Sequence, residues 1–301
     1  MCTGSIKGVE RHAVCAGCRK TPALWARVLF ISCTEIGYFR TACCFLATAC
    51  YDVSMLIVAN WKAYVESTQK AKALFAAAKR LSANPGIEIV LAPPAPYIGL
   101  LAPGNKTRVA FAAQDVSIST GGAQTGEVTA NLLADMGVTY AILGHSERRA
   151  HGETDAIVTE KVQHALAHGI TPILCIGEAE RDSEAHYLKF IRSQIQTVFS
   201  VLSSKERLSI VVAYEPIWAI GKSASEAITP ADLAEMVLYI RKVLTDFIPG
   251  KGGAQVRVIY GGSAEPANVR VLAGASGVDG FLPGHASVDV ATFNALVKAV
   301  L

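Results

Sequence analysis

Between Met55 and Leu301 eight short apolar, strand-like runs recur, separated by segments with helical periodicity, and this alternation constrains the fold more than any single motif does. The runs are Leu56 to Ala59, Ile87 to Leu91, Val109 to Ala113, Tyr140 to Leu143, Pro172 to Ile176, Ile210 to Tyr214, Val256 to Tyr260 and Val278 to Leu282. Strand following helix throughout implies parallel strands joined by right-handed crossovers. The 247 residues that remain after the first 54 of 301 also suit an eight-fold barrel, which needs about 250. No Gly-, Ser- or Pro-rich linker interrupts them. Residues 55–301 are therefore read as a single α/β domain, a (β/α)8 barrel.

The helical segments carry their own signals. Leu188, Ile191, Ile195, Val198, Phe199 and Leu202 recur at steps of three and four, which puts them on one helix face. Thr229-Pro230 reads as an N-cap followed by proline at the first helical position, with Leu233, Met236, Val237, Ile240 and Leu244 behind it.

Residues 1–54 have a different composition and are read as a non-barrel N-terminal extension, expected to be disordered, either a leader or a mis-assigned start ahead of Met55. They hold seven of the eight cysteines, and six of the 28 basic residues against three of the 25 acidic ones. The remainder is thus balanced at 22 of each sign, and the whole net charge of +3 belongs to the extension. A charge that small argues against nucleic acid or an anionic membrane as partner. Cys15-Ala16-Gly17-Cys18 has the spacing of a metal half-site, but no second pair completes it. The apolar run Thr41 to Cys50 is too short to span a bilayer. A cytoplasmic protein is expected, organelle targeting by the Arg-containing extension being the alternative.

In such a barrel the C-terminal ends of the strands carry the chemistry. The first run ends in Asn60-Trp61-Lys62, and two-residue alternation predicts that the amide and the ammonium leave on the same side. The fourth ends in Gly144-His145-Ser146-Glu147, with His145 where a strand passes into a helix; a helix N-terminus favours the neutral imidazole. The fifth ends in Cys175-Ile176-Gly177-Glu178, whose cysteine is read as a packed small hydrophobe. The sixth delivers Glu215 before Pro216, where a general base could stand. Alone, Glu215 reads as an ion-pair partner; beside Lys62 and His145 on one rim it reads as catalytic. Glycine-rich loops follow the seventh and eighth runs, at Tyr260-Gly261-Gly262-Ser263 and Leu282-Pro283-Gly284-His285, where exposed backbone N–H groups can converge on a phosphate.

Taken in order, Asn60-Trp61-Lys62, Gly126-Glu127-Val128, Gly144 to Arg149, Cys175 to Glu178, Tyr214 to Gly221 and Tyr260 to Ser263 resemble the triosephosphate isomerase family, from Met55 to Leu301. The resemblance implies a TIM barrel that interconverts D-glyceraldehyde 3-phosphate and dihydroxyacetone phosphate through an enediolate, without metal or organic cofactor. It implies Glu215 as the base, His145 as a neutral electrophile, Asn60 and Lys62 as stabilisers of the enediolate oxygens, and Glu147 as the partner that orients Lys62. Gly221, Ser263 and the loop at Gly284 would hold the phosphate of a small sugar phosphate, with His285, in that loop, expected beside it. Thr125 would enter a second subunit near its Lys62, making a homodimer.

Three positions depart from the family's pattern. Lys222 to Ala227 replaces the usual lid continuation and is about two residues longer; Gly284-His285 stands where two glycines are usual; and Gln124 stands where the family's loop has an aromatic. Three readings stay open: the grip is rebuilt for the same substrate with His285 adding a donor to the phosphate, the pocket serves a related sugar phosphate such as a tetrulose phosphate, or the loop positions have drifted neutrally. A silent barrel used as a binding protein is a further alternative, against which the intact set Asn60, Lys62, His145 and Glu215 argues.

Overall fold

All eight runs are parallel strands, and they close in chain order into a barrel: β1 Met55–Asn60, β2 Ile87–Ala92, β3 Ala110–Ala113, β4 Tyr140–Leu143, β5 Thr171–Ile176, β6 Val211–Tyr214, β7 Val258–Tyr260 and β8 Gly280–Phe281. The computed structural model describes residues 54–222, 227–250 and 252–301. The expected disorder of the extension, apart from Ser54, and lid residues 223–226 lie outside the described residues.

β1 pairs with β2 over its whole length, from Met55↔Ile87 to Asn60↔Ala92, and Leu56 and Ile57 close the ring on Gly280 and Phe281. The last two strands are shorter than the apolar runs predict, for a local reason. The Asp279 carboxylate accepts the Val258 N–H at 2.7 Å and is itself held by Arg241 at 2.7 Å, so a side chain occupies the place of a ladder bond. Closure at β8 is correspondingly tight. A Cβ on Gly280 would lie 2.1 Å from the Leu56 carbonyl oxygen, so only glycine lets β8 reach β1.

Period-two alternation divides the sheet between two cores. Leu56, Val58, Val90, Ala112, Ile142, Ile173, Cys175, Val211, Ala213 and Ile259 fill the barrel interior. Their neighbours in sequence, among them Ile57, Ile89, Phe111, Leu174, Val212 and Tyr214, face the helices. The predicted helices are present: His186–Phe199 buries Ile191, Ile195, Val198 and Phe199, and Pro230–Phe247 buries Leu233, Met236, Val237, Ile240 and Leu244. Thr229 caps the latter, its hydroxyl accepting the Asp232 N–H at 3.1 Å. Among the described residues no helix is long and apolar enough to cross a membrane.

At the N-terminal end of the barrel Glu88, Tyr140 and Arg257 form a closed polar group: Tyr140 donates to Glu88 at 2.5 Å, and Arg257 to Glu88 at 2.6 Å and to Tyr140 at 3.1 Å. Burial, with the Glu88 carboxylate beside it, pushes the Tyr140 phenol up to about 12. This end is satisfied and structural. The interior period, carried one step past the apolar residues, is what supplies the other end: Leu56 and Val58 lead to Asn60, Ala112 to Gln114, and Val211 and Ala213 to Glu215.

Gly280→Ala is expected to open the β1–β8 seam and to cost about 3 kcal/mol or more, the upper range for forcing atoms into a packed core. Urea unfolding measures the loss, and amide exchange should show it concentrated at Leu56 and Ile57.

Candidate active site

Asn60, the last residue of β1, is 5% exposed, and its side-chain oxygen accepts the Lys62 N–H at 3.0 Å. Lys62 is not a continuation of the strand. Its φ is 45°, a left-handed conformation that non-glycine residues seldom adopt. The Asn60 bond holds one side of this turn, and Gln114 holds the other by donating to the Lys62 carbonyl and to the Ala92 carbonyl, each at 2.9 Å. The amide and the ammonium therefore reach one cavity by a turn and not by strand alternation. The ammonium lies 2.6 Å from Glu147. Although partial burial works the other way, the bond and charge of Lys62 bring the Glu147 carboxyl below its ordinary range. This pairing contributes above the ordinary glutamate range and is lost as pH falls through the lowered one.

His145 is buried at the N-terminus of the short helix Ser146–Ala150, and its Nδ1 accepts the Glu147 N–H at 3.1 Å. An acceptor at Nδ1 places the proton of a neutral ring on Nε2. Nε2 faces Glu215 Oε1 across 3.4 Å.

Glu215 is 2% exposed. One carboxylate oxygen accepts the Ser146 N–H at 2.9 Å, while Oε1 has no hydrogen-bond partner among the described residues. Backbone crowding fixes where this side chain can be. A Cβ on Gly261 would lie 2.8 Å from Glu215 Cγ, and one on Gly177 would strike the Glu215 carbonyl oxygen at 1.8 Å. Below it sits Cys175, whose thiol is pushed well up by burial and by the Glu215 charge, as expected of a packed cysteine.

A cavity of about 490 Å³ opens above these groups, lined by Asn60, Lys62 and His145 and by the loops after β6, β7 and β8, including Gly221, Ser263, Gly284 and His285. Every residue expected at the site lies on this wall or, for Glu215, immediately behind it. Glu215 does not line the cavity, because its carboxylate is turned to Ser146. Ser263 donates to the Ala219 carbonyl at 3.0 Å, and Gly221 turns the chain with φ 73°. The backbone N–H groups of Gly284 and His285 have no backbone partner within the described residues, while that of Ser263 is directed at the buried Tyr260 hydroxyl. A larger cavity, of about 550 Å³, lies apart, against Asp115, Glu127, Arg148, Glu153 and Lys161.

Several contributors act through contacts that the strand ends alone do not reveal. Gln114 clamps Lys62, and Ser146 supplies the amide that holds Glu215. Glu178 is the centre of a buried group at the base of the segment leading to Gly221: its Oε1 accepts from Tyr214 at 2.7 Å, Trp218 at 3.0 Å and Arg181 at 3.2 Å. The Arg181 guanidinium lies 5.1 Å from the Trp218 ring centroid. Burial and the Glu178 charge push the Tyr214 phenol up. The signal for Gln114 and Glu178 is their place one or two residues past an apolar run; Glu265 and Tyr64, also on the cavity wall, have none.

This arrangement can draw a proton from carbon with a buried carboxylate while an N–H and an ammonium face the oxygen that gains charge. Known proteins agree with that chemistry. Residues 55–300 match the family model described as Triosephosphate isomerase. The triosephosphate isomerase of Thermus thermophilus is 39% identical over 250 residues, covering 81% of this chain and 98% of that protein. That of Acidiphilium cryptum is 41% identical over 259 residues, covering 81% and 97%. That of the fungus Coprinopsis cinerea is 38% identical over 237 residues, covering 78% and 94%.

Gly261→Ala is expected to push the Glu215 side chain off the Ser146 amide and to cost about 1–3 kcal/mol, as overpacking does. A crystal structure of the variant reads the displacement directly, and thermal unfolding reads the cost.

Proposed function

The chain belongs to the triosephosphate isomerase family, and from that premise we propose how its residues interconvert D-glyceraldehyde 3-phosphate and dihydroxyacetone phosphate. The observation that carries the assignment of roles is the meeting of a buried carboxylate, a neutral-tautomer imidazole and a lysine at one end of the barrel. The names of the relatives favour the triose over the tetrulose substrate.

Glu215 swings from the Ser146 amide toward the cavity and takes the proton from the hydroxyl-bearing carbon beside the carbonyl. The C–H electron pair becomes the enediolate double bond, and negative charge moves onto the carbonyl oxygen. His145 Nε2–H donates to that oxygen, and Asn60 and Lys62 stabilise it. A proton passes between the two oxygens through the same imidazole, and Glu215 returns its proton to the neighbouring carbon. Nothing is gained or lost overall, so the reaction is an intramolecular oxidation and reduction. Glu147 fixes the Lys62 ammonium, and Gly221, Ser263, Gly284 and His285 receive the phosphate. The N–H groups of Gly284 and His285, which have no backbone partner, support that last role.

A homodimer formed through the loop around Thr125 is the assembly we favour. Thr125 is exposed, Ile118 is 46% exposed, and the 550 Å³ cavity adjoins the base of the same loop at Gly126 and Glu127. A projection beside a recess is what a self-complementary two-fold interface needs. The cytoplasm is the compartment proposed, since the substrates are small soluble phosphates.

In a coupled assay on glyceraldehyde 3-phosphate, Glu215→Gln should lower kcat by about 10³-fold with little change in KM, within the range for loss of a general base. Turnover no better in the parent than in this variant would refute the assignment. Sedimentation equilibrium should show a dimer, and Thr125→Glu should shift it toward monomer; a parent that sediments as a monomer would refute the interface.

A further inference from the structure

We infer that Glu265 and His285 form a proton-linked anion receptor, in which His285 supplies the positive charge a phosphate dianion meets and Glu265 stabilises that charge before the anion arrives. This deepens the reading of the cavity as a phosphate site and rests on it. The two residues come from different loops, after β7 and β8, and both line the cavity. His285 Nδ1 lies 3.8 Å from Glu265 Oε1, within ion-pair range though beyond a hydrogen bond. On another side the Tyr64 ring meets the imidazole edge-on, its centroid 6.3 Å away at an interplanar angle of 87°. The ring is 79% exposed and therefore free to turn between the carboxylate and a bound anion.

The charges on the wall explain why the pair matters. Among the described residues the cavity is lined by two ammonium groups, Lys62 and Lys222, and two carboxylates, Glu147 and Glu265, with His145 and His285 as its imidazoles. Lys62 is already paired with Glu147 at 2.6 Å, and the His145 Nδ1 is occupied as an acceptor. With His285 neutral, the formal charge of the lining is zero, and Glu215 behind it is negative. A dianion entering such a cavity gains hydrogen bonds from the Gly284 and His285 amides but no net Coulombic attraction. Protonation of His285 alters that balance by one charge. It adds a positively charged N–H donor on the cavity wall, 3.8 Å from the Glu265 carboxylate. Glu265 without this role would only repel the ligand. Binding of the dianion and of a proton are then coupled, each strengthening the other by the same factor.

Sulfate tests this, because it remains a dianion throughout the range in which histidine changes charge. Its affinity for the full-length protein is measured by competition with substrate at constant ionic strength, from about pH 8.5 down to about pH 5.5. The expected result is a rise of about tenfold on acidification, reduced to less than about twofold in His285→Asn. In Glu265→Gln the rise should persist, and at about pH 8.5 the variant should bind sulfate more tightly than the parent, because one carboxylate has left the cavity wall. An equal pH slope in the parent and His285→Asn would overturn the inference while leaving the phosphate site in place. A Glu265→Gln profile identical to the parent's would remove Glu265 from it. Sulfate that fails to compete at any pH would overturn both the inference and the phosphate site beneath it.

Discussion

Much of the site is arranged around the cost of burying the Glu215 carboxylate. A charged group at 2% exposure loses its water, and one of its oxygens receives no hydrogen bond in return. The compensation is the Ser146 amide on the other oxygen and the imidazole facing the free one. The space comes from two glycines, Gly177 against its carbonyl and Gly261 against its Cγ. The oxygen left without a partner is the one that faces His145, toward the end of the barrel where the cavity opens. An oxygen with a free lone pair is what a base acting on carbon needs to present.

The second tension in the structure is Lys62. Its left-handed backbone is unfavourable for a residue with a Cβ, yet three side chains hold the turn: Asn60 by the N–H, Gln114 by the carbonyl and Glu147 by the ammonium. The result is a cation whose position is set from both backbone and head group. A lysine on an extended strand would carry its charge on four flexible methylenes and would lose more entropy on meeting its ligand. Strain near the charge is exchanged for a fixed direction of the field.

The barrel itself is legible in the sequence because its signals are local. Each apolar run becomes a strand, and Thr229-Pro230 caps its helix as read. What fails locally is where a side chain substitutes for backbone, as Asp279 does at Val258, shortening β7 and β8. The site residues are legible because they continue the interior period of apolar strands. The residues that hold them are not: Gln114 reaches Lys62 across 52 positions, and Tyr214 reaches Glu178 across 36. Such pairings have no sequence spacing to reveal them. Lys62 shows the same limit from the other side, since alternation places it on the correct wall but by the wrong path.

The two halves of the site differ in how freely they can change. Around Glu215 the backbone at Gly177 and Gly261 closes in, and a Cβ added at either would meet atoms that cannot readily move. Around the loops after β7 and β8 the grip consists of backbone N–H groups, which any sequence supplies, and of an exposed ring at His285. A loop whose binding groups are its amides tolerates a new side chain so long as the chain path is kept. An imidazole can therefore appear at position 285 without disturbing the carboxylate that performs the proton transfer. The chemistry is held by packing, which resists variation, and the phosphate end by electrostatics over open space, where one added charge alters binding and leaves the fold as it was.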